Sequence, residues 1–352
     1  MAKASKSKKV QKGILPERKS YDIRGGKILV FGDLHLSAKY EGTHKSYIYE
    51  CYYNMDRIME ICEEQHPSGV FLLGDIIGVN ERKITDHQFL MRVMMFFMKL
   101  NSYTNGNVYS VRGNHDIGDF SDFDMLVGMG LIKNPKYVDY YGNDKLEIRF
   151  HFVNYGEEHY KLEIAEYPLV ASNVVLGHAD YYIEGVTNWY SAKQGVHLNE
   201  LDNFCGVEMV ISGHIHIPSD GEISYTTLKD GSTIGLFYVG SPSRVVERID
   251  DCWYMWFEYE ESETNYEACL FGLEPASDVF YPKEDLIEEM SDEEADRIYQ
   301  SEKLTEYVRE IIESRLTSGD LFKQIDLVPG VGKEVKDIAK GYLRQAIDEG
   351  GN

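Results

Sequence analysis

Basic residues are in short supply: 36 lysines and arginines face 59 aspartates and glutamates, for a formal net charge of −23. Such a chain repels nucleic acid and anionic lipid over most of its surface. This excludes an indiscriminate polyanion binder but leaves room for a local basic groove or for bound cations. Cysteine is scarce too. The five at 51, 62, 205, 252 and 269 are odd in number and form no Cys-x-x-Cys pair. Neither a disulfide framework nor a structural zinc site is suggested, and reduced thiols are expected. No apolar run reaches the roughly 18 residues of a membrane span, and the first 20 residues lack the apolar stretch of a secretory signal. A soluble, cytoplasmic protein without a membrane partner is the expectation. There is no internal repeat to suggest a solenoid.

What is present suits a sizeable core, with 43% hydrophobic and 12% aromatic residues in 352, enough for one large domain plus appendages. Residues 1–24 are rich in Lys and Ser and read as a flexible basic tail. From 25 to 275 a single domain is expected. Its first half alternates apolar runs, Lys27–Phe31, Val70–Leu73 and Val108–Val111, with amphipathic segments at His44–Gln65 and Thr85–Leu100. This βαβαβ order predicts a mainly parallel sheet with covered faces. Alternation at Leu146, Ile148 and Phe150, resumed at Leu162 and Ile164 after a turn at Asn154–Glu158, predicts a hairpin. Buried strands follow at Asn173–Leu176 and Glu208–Ile211, then a β-rich stretch to Leu273 with Asp230-Gly231 as a hairpin turn. Residues 276–300 form an acidic linker, its segment Glu284–Asp296 carrying eight acidic residues and no basic one. Residues 301–352 predict two amphipathic helices whose apolar faces need each other or a partner.

Five apolar strands each run into Gly and then a metal-ligand type: Gly32-Asp33-Leu34-His35, Gly74-Asp75, Gly113-Asn114-His115-Asp116, Gly177-His178 and Gly213-His214-Ile215-His216. Ligands collect at the carboxyl ends of parallel strands, where Gly lets the backbone bend sharply. Taken singly, each His is more simply a hydrogen-bonded core residue and each Gly-Asp a turn. Together and in this order they predict one crevice. Carboxylate, amide oxygen and imidazole suit two borderline divalent ions such as Mn²⁺, Fe²⁺ or Zn²⁺ better than a pure-oxygen set, which would favour Mg²⁺ or Ca²⁺; Mn²⁺ is the leading expectation, with Mg²⁺ left open. A pair of ions held roughly 3.5–4 Å apart by a bridging carboxylate, for which Asp75 is the candidate, clamps the attacking and leaving oxygens of a phosphoryl transfer and activates water. His115 is then free to act on the reacting phosphate, with Asp116 expected to orient its ring. The histidines at 44, 66, 87, 151, 159 and 197 match no motif and read as structural or surface residues. A scaffold that had lost its chemistry would lack a ligand or His115, and all are present.

The ordered motif set resembles that of the calcineurin-like metallophosphoesterases. The resemblance implies an α/β fold of two facing mixed sheets flanked by helices. It also implies one ion on Asp33, His35, Asp75 and His216 and a second on Asp75, Asn114, His178 and His214. Three further features resemble the nuclease subunit of double-strand-break repair complexes, in the compact form found in tailed bacteriophages. These are Gly74-Asp75-Ile76-Ile77 leading through Arg82-Lys83-Ile84-Thr85, the strand Tyr238-Val239-Gly240-Ser241-Pro242, and the acidic linker with its helical tail. That likeness implies a DNA exo/endonuclease in host-cell cytoplasm, a grip on an ABC-type coiled-coil ATPase through the terminal helices, and room for a homodimer. The alternative is a phosphoesterase acting on a small phosphodiester or a phosphoprotein. Gly78 departs from the pattern, standing where relatives carry His or Asp.

Overall fold

The computed structural model describes residues 18–273 apart from 39–46, 79–83, 85, 119–120, 158–171, 184–194, 199–205, 220, 244–250 and 261–262. The acidic linker and the helical tail lie outside the described residues. In chain order the elements begin with β1 (Ser20–Arg24), β2 (Ile28–Phe31), α1 (Tyr47–Gln65), β3 (Gly69–Leu72), α2 (His87–Tyr103), β4 (Val108–Ser110) and α3 (Asp122–Gly128). There follow β5 (Tyr137–Gly142), β6 (Lys145–Val153), β7 (Ser172–His178), β8 (Tyr181–Tyr182), β9 (Val196–His197) and β10 (Met209–Gly213). The last are β11 (Ser224–Thr227), β12 (Thr233–Tyr238), β13 (Trp253–Glu260) and β14 (Glu263–Leu270).

Two mixed sheets face one another, one ordered β1-β5-β6-β7-β10-β12-β11 and the other β14-β13-β2-β3-β4. Alternation along the strands explains why they stack. Ile28 and Val30 of β2, Phe71 of β3 and Tyr109 of β4 point inward to meet Phe150, Phe152, Val174, Leu176 and Ile211 of the larger sheet. The opposite faces of β2 and β3, through Leu29, Phe31, Val70 and Leu72, pack against the apolar stripes of α1 and α2. In α1 that stripe is Cys51, Met55, Ile58 and Cys62; in α2 it is Phe89, Val93, Phe96, Phe97 and Leu100. Asp86 caps α2, accepting from the Phe89 amide at 2.8 Å. Outside the larger sheet a third apolar layer gathers Val175, Val210 and Leu236 with Ile183, Leu198 and Leu228.

Two expectations are corrected. Ser20–Arg24 belongs not to a tail but to an edge strand, in parallel register with Tyr137–Tyr141; its alternation was masked by the basic stretch before it. The hairpin of β6 closes at its other end. Tyr137–Gly142 pairs antiparallel with Lys145–His151, through a two-residue turn in which Asn143 and Asp144 both adopt positive φ, 47° and 62°. Short polar side chains tolerate that conformation, and it matches the twist of the flanking strands. The strand expected at 162–164 lies outside the described residues.

β2, β3 and β4 run parallel in one sheet, and β6, β7, β10 and β12 run parallel in the other. The ligand-bearing carboxyl ends of both sheets therefore open at one edge of the molecule.

Candidate metal centre

All seven expected ligands converge at that edge. Asp33, His35 and His216 form one group and Asp75, His178 and His214 a second, with the ligand atoms of each group within 4.8 Å of one another. Asp75 lies toward both groups, its Oδ2 being 3.2 Å from His178 Nε2 and 3.8 Å from His35 Nε2. Asn114 completes the second group, its Oδ1 standing 2.9 Å from both His178 Nε2 and His214 Nδ1. In the first, His35 Nε2 and His216 Nε2 are 3.0 Å apart.

These separations fit metal binding. An ion bound at about 2.0–2.2 Å from each ligand sets neighbouring ligand atoms about 3 Å apart. Burial adds a second argument, because Asp33, His35, Asp75 and His178 are almost wholly enclosed, and carboxylates so placed are costly without cations. The electrostatics of the pocket carry the same frustration. Burial pushes Asp33 up to about 7 and His35 down to about 3, and lowers His216 to about 4. Burial also opposes ionisation of Asp75, but His178, His35 and His115 outweigh it and hold this carboxyl below the usual range. Burial disfavours a charged His178 as well, yet Asp75 and Asp33 together raise it to about 9.

Backbone geometry aims the ligands. His35, Asp75 and His214 all take left-handed φ values, 43°, 45° and 74°. That conformation costs residues with a Cβ roughly 1 kcal/mol or more each and is maintained only where surrounding structure fixes it. Backbone amides do the fixing. His214 N–H donates to Asp33 Oδ1 at 2.9 Å, and His115 N–H to Asp75 Oδ1 at 2.8 Å. The His35 amide donates to the Asp75 carbonyl at 2.9 Å, tying the loops after β2 and β3 together. His178 Nδ1 sits 2.7 Å from the Leu73 carbonyl, so Nδ1 carries a proton and Nε2 is left as the atom that would coordinate an ion. Gly113 is required here because a Cβ would overlap the Asp75 carboxylate and amide. At Gly213 a Cβ would come within 2.6 Å of the Leu73 carbonyl and 2.8 Å of Asp33 Oδ2.

His115 is not enclosed with the ligands. About one third of its side chain is exposed, and Nε2 stands 4.0 Å from Asp75 Oδ2. Asp116, expected to orient His115, instead turns underneath. Its buried carboxylate accepts from the amides of Gly113 at 2.9 Å, Ile76 at 3.1 Å and Ile77 at 3.3 Å. It clips the Asp75 loop to the Asn114 loop; burial and the Asp75 charge raise it to about 7. Ser241, within the strand motif quoted for its nuclease likeness, is buried and donates to the Asp33 carbonyl at 2.8 Å. Its place is that of a support for the first ligand loop. Gly78 has φ 55° and donates to the Leu36 carbonyl at 3.0 Å.

Sequence reasoning passed over Asp180, whose Oδ1 lies 3.5 Å from His214 Nε2. A carboxylate behind a coordinating imidazole orients the ring and strengthens it as a ligand. The signal was there in Gly177-His178-Ala179-Asp180, two residues beyond a ligand. Tyr155 was passed over as well; its ring lies 5.5 Å from that of His214 and 6.1 Å from that of His178. Nothing in its local sequence marks it.

The profile of the calcineurin-like phosphoesterases matches residues 26–218, more than half of the chain and every ligand loop. The chain belongs to this family. Its activity is accordingly that of a metal-dependent phosphoester hydrolase, and its two ligand groups match the family's use of two divalent ions. Solved structures similar to it include TT1561 of Thermus thermophilus, at 11% identity and a TM-score of 0.39, with 70% of this chain and 99% of that one covered. A predicted phosphoesterase from Streptococcus pneumoniae is similar at 13% identity and TM-score 0.31, covering 71% and 94%. Zinc-complexed Vps29 from Entamoeba histolytica is similar at 11% and 0.29, covering 70% and 99%. No curated protein sequence matches the chain.

Proposed function

We propose that this phosphoesterase is a DNA nuclease, acting on phosphodiesters as the nuclease subunit of a recombination or break-repair complex. The observation that carries the reading is the pairing of a doubly used Asp75 with His115, a partly exposed imidazole 4.0 Å from its carboxylate. A phosphodiester seated over Asp75 would present its leaving oxygen to that ring. Divalent ions, Mn²⁺ foremost, would supply Lewis acidity and an activated water when bound by the seven ligands. Asp75 shares its charge between the two groups, Asn114 closes the second, and His115 stabilises negative charge or protonates the leaving oxygen. The choice of DNA is supported by the likeness of Gly74-Asp75-Ile76-Ile77 and Tyr238–Pro242 to the nuclease subunits.

The formal charge of −23 means that most phosphate contact must come from elsewhere, since DNA affinity depends on neutralising its backbone. An ABC-type coiled-coil ATPase, gripped by the two amphipathic segments of 301–352, is the proposed source. The same charge favours the second reading, a phosphoesterase for a small phosphodiester or a phosphoprotein, which needs no polyanion surface. The deciding assay offers short duplex and single-stranded DNA to the purified chain across Mn²⁺ and Mg²⁺, with and without the co-expressed ATPase. Cleavage only with added metal is expected. Efficient hydrolysis of bis(p-nitrophenyl) phosphate with DNA intact under every condition would retire the nuclease reading.

A further inference from the structure

We propose that Tyr155 is a stacking platform for the nucleobase next to the scissile phosphate, so that the centre takes a nucleotide and not merely a phosphoester. The inference rests on the reading of the substrate as a nucleic acid and gives that substrate a second point of contact.

Tyr155 follows the end of β6, and 40% of it is exposed. Its ring leans on two imidazoles of the second ligand group, at 47° to His214 and 74° to His178. Part of the ring therefore covers the ligands while the remainder faces solvent at the mouth of the crevice. A large aromatic left open in this way contributes less to the core than it would if buried. What it does supply is a flat, uncharged surface beside a centre built for an anion. A nucleotide carries a flat aromatic ring one sugar away from its phosphate, and base–aromatic stacking is tolerant of sequence because every base has a π-face.

The platform is fixed in place. The Tyr155 amide donates to the Arg112 carbonyl at 2.8 Å. Next to it, Asn154 Oδ1 accepts from the Arg112 amide at 2.7 Å and from Asn134 Nδ2 at 2.8 Å. Glu157 closes the turn, its carboxylate accepting from the Asn154 amide at 3.0 Å while pairing with Arg18 at 2.6 Å. Arg112 immediately precedes Gly113-Asn114, so the segment carrying Tyr155 is bonded to a ligand-bearing loop. A ring positioned in advance loses little freedom when a base stacks on it.

Calorimetry on the Mn²⁺-loaded full chain tests this with two probes that share a phosphate and a sugar, dTMP and 2-deoxyribose 5-phosphate. The wild-type chain is expected to bind dTMP roughly ten-fold more tightly. Tyr155→Phe should keep that preference, because stacking does not need the hydroxyl. Tyr155→Ala should reduce dTMP to the affinity of the sugar phosphate while leaving the latter unchanged. Tyr155→Leu, which keeps apolar bulk, should lose most of the preference with metal content intact, and decides the matter if the Ala variant takes up less metal. Equal binding of the two probes by the wild type, or a preference that survives in the Leu variant, overturns the platform. DNA cleavage is scored separately: a Tyr155-dependent preference without cleavage keeps the platform and removes the nuclease, and cleavage without the preference does the reverse.

Discussion

Asp33, His35, Asp75 and His178 are enclosed at the floor of the metal centre, whereas Asn114, His115, His214 and His216 are half-buried along its mouth and Tyr155 beyond them is exposed. The floor is overdetermined. Its carboxylates are clamped by backbone amides, its loops are bonded to one another, and two of its four residues occupy left-handed backbone. The mouth meets solvent, and although the backbone amides of His115 and His214 donate the two clamps and His214 is itself left-handed, its side chains are only half-buried. Floor side chains thus serve structure and chemistry at once, while mouth side chains, whose backbones do the structural work, can change with the fold left alone.

The sharpest test of that division is Asp75→Asn, which weakens both ligand groups. Turnover on a small phosphodiester should fall by roughly a thousand-fold or more, and elemental analysis should find metal lost from both positions. His115→Ala should lower turnover by about 10²–10⁴ with metal content and melting temperature unchanged; loss of metal there would erase the distinction between floor and mouth. Asp116→Ala leaves three buried amides without their acceptor. Stability should drop by about 3 kcal/mol in denaturant titration, and Asp116→Asn, which keeps an acceptor oxygen, should recover part of it. Asp180→Ala should act least, weakening the second ion's affinity by roughly ten-fold in competition with a chelator while the fold is kept.

The same contrast describes how much the sequence revealed. The five ligand loops were legible because each places a chemically distinctive residue directly after Gly at the end of an apolar run, a pattern that depends only on local chain geometry. The helices over β2 and β3 were legible through their three- and four-residue apolar spacing. The supports were not. Asp116 is adjacent to His115 in sequence, but the turn directs its carboxylate to amides belonging to residues 76, 77 and 113, partners that only folding brings near. Tyr155 depends on a ring neighbouring His214, 59 residues onward by their numbers. β1 and β5 escaped because pairing between Ser20 and Tyr137 is a long-range register with no local signature, and β5 carries polar Asp139 amid its tyrosines, where Arg149 pairs with it at 2.6 Å.

The division of ligands between two sheets has a consequence for the life history of the protein. Asp33 and His214 are 181 residues apart in sequence, so metal ions held at this edge would clasp the two separately paired layers together. Closing a loop of that length is entropically slow to arrange and gains most when held. The clasp should therefore engage late, after both sheets have formed, and its engagement would convert a chain that can breathe at one edge into one whose layers exchange amide protons as a single unit.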